Sequence, residues 1–414
     1  MKQSIKQRIE QLNNGEIPEG YKKTIVGICP IEWEEHTLSD FLHFKNGLNK
    51  EKSAFGSGTP IVNYTDVWKK RGLRENDIKG RVQLSKNEIK NYEAKEGDVF
   101  FTRTSETIDE IGFSSVLLDS VHNTVFSGFV LRGRPYNDMV VKEFNQYCYS
   151  SDLMRNEIKK RSSITTRALT SGSMLSEVAI NLPTKTEQSK IAEILMKWDE
   201  AIELQEKLID KLALEKRSAL QLCFASERCD TTIRFADYIV ERNERNKENN
   251  RRVKSISNTQ GFVDQEEQFS KQVASENVSQ YKIVKRNYVA YNPSRINVGS
   301  IAVFDEEEKG IISPMYTVFE CVGIDPKFFL LLLNTDRGKY EIKSRLAGSV
   351  RDSLSFEELK DITMSVPNPE RWQEILNVFE LFDKVIQLEK DKLSSLTMQR
   401  KALQQCLLNG IVRV

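Results

Sequence analysis

Apolar residues recur at steps of three and four along two long stretches that no Gly or Pro interrupts. The first carries Ile191, Leu195, Trp198, Ile202, Ile209 and Leu212, and runs on to Ala219 and Cys223. The second carries Ile375, Phe379, Phe382, Ile386, Leu393 and Leu396, and runs on to Leu403 and Leu407. This spacing predicts two long helices with an apolar seam held for about five heptads, the signature of a coiled coil. Pro183 and Pro367 precede the two stretches, and Glu187 and Glu370 fall in the first turn, where negative charge suits the helix dipole. About 38 residues at 1.5 Å each would make a rod of roughly 57 Å. The seam is interrupted by Gln205 and Lys216 in one helix and by Glu389 and Arg400 in the other. One antiparallel register sets Lys216 against Glu389 and Gln205 against Arg400. Burying either charge alone would be costly, so matched polar layers would also disfavour slipped registers. The plainer alternative is two amphipathic helices in separate cores.

The two stretches are copies of one another. A shift of 184 positions superposes Ile191 on Ile375, Asp199 on Asp383, Ile202 on Ile386, Leu204 on Leu388 and Leu212 on Leu396. Near the end a shift of 183 matches Arg217, Ala219, Leu220, Gln221 and Cys223 to Arg400, Ala402, Leu403, Gln404 and Cys406, which implies one residue of drift. An internal repeat of this kind organises the whole chain. It divides into a first domain at 1–181, a first helix at 182–224, a second domain at 225–365 and a second helix at 366–410. The two domains share a pattern: a short strand, a polar loop carrying Arg103 or Arg295, a glycine (Gly112 or Gly299), a strand, and another strand after a turn. A helical stretch follows in each, Asp152 to Lys160 and Phe328 to Ser344. Next comes a basic, Ser/Thr-rich loop, Ile164 to Ser173 and Leu346 to Ser355. The expected fold class is α+β: two similar mixed α/β domains joined by two long helices in an antiparallel coiled coil, with pseudo-two-fold symmetry. Such symmetry matches that of duplex DNA approached at two half-sites.

Composition narrows the class. With 39% hydrophobic and 29% charged residues among 414, the chain has enough apolar content for real cores. No run approaches the ~18 consecutive apolar residues of a membrane span, and Met1 to Leu12 is too polar for a secretory signal. The six cysteines include no CxxC pair, so reduced thiols in the cytoplasm are expected rather than disulfides or a zinc site. The net charge of +1 neither announces nor forbids a nucleic-acid partner.

Three sets of motifs make the chain resemble the specificity subunits of type I restriction–modification systems. The run from Val253 through Ile296 and on through GIISPMYTVF resembles the target recognition domain of that family. TPIVNYTDVW (Thr59 to Trp68) and GDVFFTRT (Gly97 to Thr104) do the same in the first domain. LPTKTEQSKIAEIL with WDEAIELQEKLI resembles the family's spacer helix. The second helix departs from the family's start, with NPERWQ in place of a proline followed by Glu-Gln. The resemblance implies that each domain reads one half of a split double-stranded DNA site and that the helices set the gap. It also implies docking of two methyltransferase subunits, joined by translocase–endonuclease (restriction) subunits. S-adenosylmethionine, ATP and Mg would then sit on those partners, with no cofactor, metal or catalytic residue on this chain and no membrane association.

The residues agree with a non-catalytic role. The chain has no GxxxxGK[ST], no HExxH among its three histidines, and only Asn292-Pro293-Ser294-Arg295 where an amino-methyltransferase would show Asn/Asp-Pro-Pro-aromatic. For base reading, Arg suits guanine and Asn or Gln suits adenine. The candidates are Asn63, Tyr64, Arg103, Thr104 and Arg167 in the first domain, and Ser257, Asn258, Gln260, Arg295, Asn297 and Arg351 in the second. Lys254, Lys282, Lys285, Arg286 and Arg345 are the candidate phosphate contacts. The charged run from Arg242 to Lys254 reads equally as a phosphate-binding or a mobile loop. Two alternatives stay open: a partnerless or regulatory coiled-coil homologue that directs no modification, and a self-contained enzyme whose motifs this chain lacks.

Overall fold

The computed structural model describes residues 5–164, 166–258, 260–265, 277–348 and 353–414. Two compact units result: Met1–Glu206 with Lys392–Val414, and Lys207–Asp391. The division falls inside the two long helices, Lys185–Cys223 and Trp372–Leu408, so each unit holds half of each.

Each unit is built on the same sheet. In the first the strand order is Leu42–Asn46, Val130–Pro135, Val99–Thr102, Ser114–Leu117, with Gly72–Leu73 added in parallel at the edge. In the second it is Ile239–Glu241, Thr317–Cys321, Tyr288–Tyr291, Ile301–Val303. A second sheet repeats as faithfully. Phe55–Val62 pairs antiparallel with Arg81–Val82 and parallel with Val125–Phe126, which Glu93 bridges on its far side. Val253–Ser257 pairs antiparallel with Gly261–Asp264 and parallel with Gly310–Ile312, which Lys282–Val284 covers antiparallel. The duplication inferred from a few short motifs thus extends to sheet order and strand direction.

A two-stranded ribbon closes each domain and leads into its helix. Glu34–Thr37 pairs with Ala179–Leu182, and Thr231–Arg234 pairs with Thr363–Val366. The helices then enter the domain cores. Ile191, Leu195 and Leu407 pack with Trp33, Phe41, Phe101 and Tyr149 in the first unit. Leu220, Trp372 and Phe379 pack with Phe235, Phe319 and Phe329 in the second. Each such apolar side chain contributes about 1.5–3 kcal/mol when fully buried. The smaller helix spans Asp152–Arg161, capped by Ser151, as the pattern predicts. Phe328 to Ser344, expected as one helix, is two: Pro326–Asn334 and Asp336–Gly348. Thr335 breaks it, its hydroxyl donating to the Leu332 carbonyl and accepting from the Gly338 amide.

The two helices meet in a register other than the one their polar interruptions suggest. Every predicted seam residue is buried or half-buried, while most intervening positions are exposed. Lys216 binds Asp383, not Glu389. Arg400 binds Asp199, with its Nε 2.8 Å from the carboxylate, rather than Gln205. Both partners therefore sit six residues earlier than the matched-layer register demands. The reason is solvation: Asp383 and Asp199 stand at the flank of the seam, 64% and 43% exposed, where their charge stays hydrated. The drift of one residue is also corrected. Lys216 and Arg400 are 184 positions apart, as are Asp199 and Asp383. Each copy's aspartate thus takes the other copy's cation, and a constant shift of 184 carries through. Burial agrees, since Leu220 and Gln404, also 184 apart, are both buried.

Candidate nucleic-acid interface

In the first unit the sequence candidates converge on one loop cluster. Arg103 leaves the end of the Val99–Thr102 strand; its amide donates to the Phe129 carbonyl at 3.1 Å and its carbonyl accepts from the Thr170 amide at 3.0 Å. Its guanidinium lies 3.5 Å from the Gly128 carbonyl. Thr104 pairs with Leu169 in a three-stranded ribbon, and Arg167 in that ribbon's turn is exposed beside Glu106 at 2.9 Å. Tyr64 borders the same loop: burial and the charge of Glu110 push its hydroxyl above its ordinary pKa, and Ser105 hydrogen-bonds it. Asn63 does other work. It caps the Tyr64–Lys69 helix, its amide donating to Asp66 at 2.8 Å and its side chain to the Ile61 carbonyl at 3.3 Å.

The second unit repeats the frame with different residues. The Leu354 amide donates to the Pro293 carbonyl at 3.0 Å, as Thr170 does to Arg103. Pro293 therefore holds the place of Arg103, and Arg295 lies two residues further along the loop. Arg295 and Asn297 are exposed on a turn that ends at Gly299. Gly299 and Gly112 both have positive φ, 91° and 65°, so the two glycines matched by sequence share a conformational duty. The backbone of Asn258 approaches Gly299, and Asn258 and Gln260 stand exposed in the turn after Ser257, the last residue of its strand. Arg345 is turned onto Glu341 of its own helix. Arg351 lies outside the described residues.

Two phosphate-contact candidates are corrected. Lys254 is buried, and its ammonium is held by Glu306 and by Asp264 at 2.9 Å. Burial opposes its charge, but the two carboxylates outweigh burial and raise its pKa. Lys282 is buried in a strand, where desolvation lowers its pKa. Their apolar-facing strand positions took both inward, which charge alone did not reveal. Arg286 is exposed and pairs with Glu307; Lys285 pairs with Glu244 at 2.6 Å. The charged run from Arg242 is tied down: Arg242 binds Glu320 at 2.6 Å and Arg252 binds Glu306 at 2.6 Å.

Other sites were not anticipated from sequence. Glu187 is a buried carboxylate that accepts from Trp33 at 2.9 Å and Arg413 at 2.6 Å, so it serves tertiary packing as well as the helix end. Arg71 is pushed down to about 10 by burial and by neighbouring Arg400. The heptad pattern marks Arg400 as an interruption but gives no sign that Asp199, Tyr147 and Gln404 would surround it. Among the described residues no group of three or more His, Cys, Asp or Glu is placed to hold a metal, and no helix is long and apolar enough to cross a membrane.

A duplicated α/β domain that carries different loops on the same strand frame, each copy followed by a long helix, defines a tandem two-domain protein. The type I restriction modification DNA specificity domain model matches residues 30–214 and 239–398, and the chain belongs to that family. Among curated relatives, the type I restriction enzyme MjaIX specificity subunit of Methanocaldococcus jannaschii is 26% identical over 210 residues, 47% of this chain and 45% of that one. The EcoKI specificity subunit of Escherichia coli is 26% identical over 166 residues, 39% of this chain and 35% of that one. Each match spans less than half the relative's length. Among solved structures, the type I S subunit from M. genitalium aligns with a TM-score of 0.52 at 17% identity, covering 91% of this chain and 96% of that one. A chain from a structure addressing complex assembly and conformational transition of the type I R-M system aligns with a TM-score of 0.58 at 13% identity, covering 93% and 99%. At these identities the likeness establishes the fold.

Proposed function

We propose that this chain is the DNA-reading subunit of a type I restriction–modification complex and recognises a bipartite duplex site, one half per domain. The observation that carries this reading is the family match over both halves together with the repeated strand frame, which holds Arg103 and Thr104 in one copy and Arg295 and Asn297 in the other. A constant frame with divergent loops suits two different half-sites. The chemistry falls to partners: methyltransferase subunits with S-adenosylmethionine, and translocase–endonuclease subunits with ATP and Mg. Exposed apolar residues at repeat-equivalent helix positions, Leu204 with Leu388 and Leu214 with Met398, support docking of such partners.

The test is a map of methylated adenines across the host genome with and without this gene. Loss of one split motif, two short halves around a fixed gap, is the expected result. An unchanged map would overturn the reading in favour of a homologue that directs no modification.

A further inference from the structure

Both units carry a large, exposed apolar residue on a tight turn at the same place. Ser127 to Val130 is a β-turn closed by the Val130 amide on the Ser127 carbonyl at 3.1 Å. Ser313 to Tyr316 is the same turn, closed by the Tyr316 amide on the Ser313 carbonyl at 3.1 Å. Each joins the strand that runs parallel in the second sheet to the strand at the heart of the first. The third residue of each turn is large, apolar and exposed: Phe129 at 66% and Met315 at 61%. Turn positions favour Gly, Asn, Asp and Ser, which satisfy the local backbone and face water without cost. One exposed apolar residue is ordinary. Two at equivalent turn positions in diverged copies are more than scatter and point to use.

The display is firm. Residues 124–128 and Val130 are buried around Phe129, so it alone projects from that run. The Asn49 side chain packs against Gly128 of the same turn. The surroundings identify what is met. Phe129 lies directly across from Arg103, whose amide binds its carbonyl, and Thr104 and Arg167 share the loop cluster. The register of Tyr291 with Thr317 sets Met315 across from Pro293, two residues from exposed Arg295. An apolar tip beside guanidinium groups suits a polyanion whose interior is flat and apolar. Phosphates would draw in the arginines, and the tip would then meet the bases.

We infer that Phe129 and Met315 are equivalent apolar base-contact residues, one for each half of the DNA site. This rests on the function proposed above and deepens it: the frame supplies one apolar probe per half-site, and its identity differs between halves.

The experiment uses the full chain and duplexes bearing the split motif taken from the methylation map, intact or with either half scrambled. Phe129→Ser is expected to weaken binding to the intact duplex about tenfold, in the range of a lost base contact. That loss should vanish when one particular half is already scrambled. Met315→Ser should do the same for the other half. Phe129→Leu and Met315→Leu should retain most of the affinity, and all four variants should melt as the parent does. Sensitivity of the Phe129-dependent contact to deoxyuridine in place of thymidine would identify a thymine methyl as the surface met. A rise in 2-aminopurine fluorescence would identify an opened base step. Either supports the inference. Serine variants that bind like the parent, while the parent still discriminates its motif, would overturn the inference and leave the function intact. A uniform loss on all duplexes would also overturn it. A parent that discriminates no duplex would overturn the function, and the inference with it.

Discussion

Single side chains carry opposite fates here despite similar chemistry. Arg103 stands on a loop with its guanidinium only loosely engaged, whereas Lys254 is enclosed by two carboxylates. Arg103→Ala should cost ~1–3 kcal/mol of discrimination at one base pair of one half-site, read by competition binding against single-base variants. Lys254→Met should leave the salt dependence of DNA binding unchanged. It should lower stability by roughly 1–2 kcal/mol, discounted because Glu306 and Asp264 stay partly hydrated. A matching change in the salt slope would return Lys254 to the interface. Acid sensitivity has a local source in Glu88, whose carboxyl Lys50 and Ser85 hold at about 2, below its ordinary 4.5. A depressed folded pKa stabilises the fold above pH 4.5, and this contribution disappears as pH falls towards 2. Glu88→Gln should therefore flatten the acid limb of the stability curve; an unaltered acid midpoint would show that the pair contributes nothing.

At the level of elements, the reciprocal ion pairs differ in depth. Arg400 is buried on Asp199, and Tyr147 donates to the same carboxylate at 2.8 Å. Asp199→Ala strands a guanidinium and a phenol and should cost about 1–3 kcal/mol. Asp383→Ala touches only the more exposed pair with Lys216 and should cost under about 1 kcal/mol. Denaturant melts of the two variants compare them directly, and equal losses would refute the asymmetry. The helices themselves were legible because burying one face of a long helix forces a period of three and four on the apolar residues. Their register was not, because Lys216 can reach several carboxylates from one seam position. Which one it meets depends on where the whole helix comes to rest.

For the whole molecule, the proposed spacer role makes a geometric prediction. Removing one heptad from each helix, residues 202–208 and 386–392, keeps both reciprocal ion pairs and should shorten the unspecified gap of the methylated motif. An unchanged gap in the methylation map would dismiss the helices as a spacer. Affinity should also fall steeply with salt as phosphate contacts exchange with counterions, and a flat response would argue against DNA as the ligand.

The sequence by itself determined the duplication and the two long helices. It also marked the glycines Gly112 and Gly299, which take positive φ in the matched loops of both units. These features follow from local rules, periodicity and backbone freedom, that act within a few residues. Only the tertiary structure decided that Pro293 rather than Arg295 stands where Arg103 does, and that Lys254 is spent inside. The same holds for the matched tips at Phe129 and Met315, and for Glu187 holding Trp33 and Arg413. Each depends on strands and helices distant in the chain coming to lie side by side. Register, burial and ion pairing between such elements are set by the packing of whole surfaces, which no short window of sequence contains.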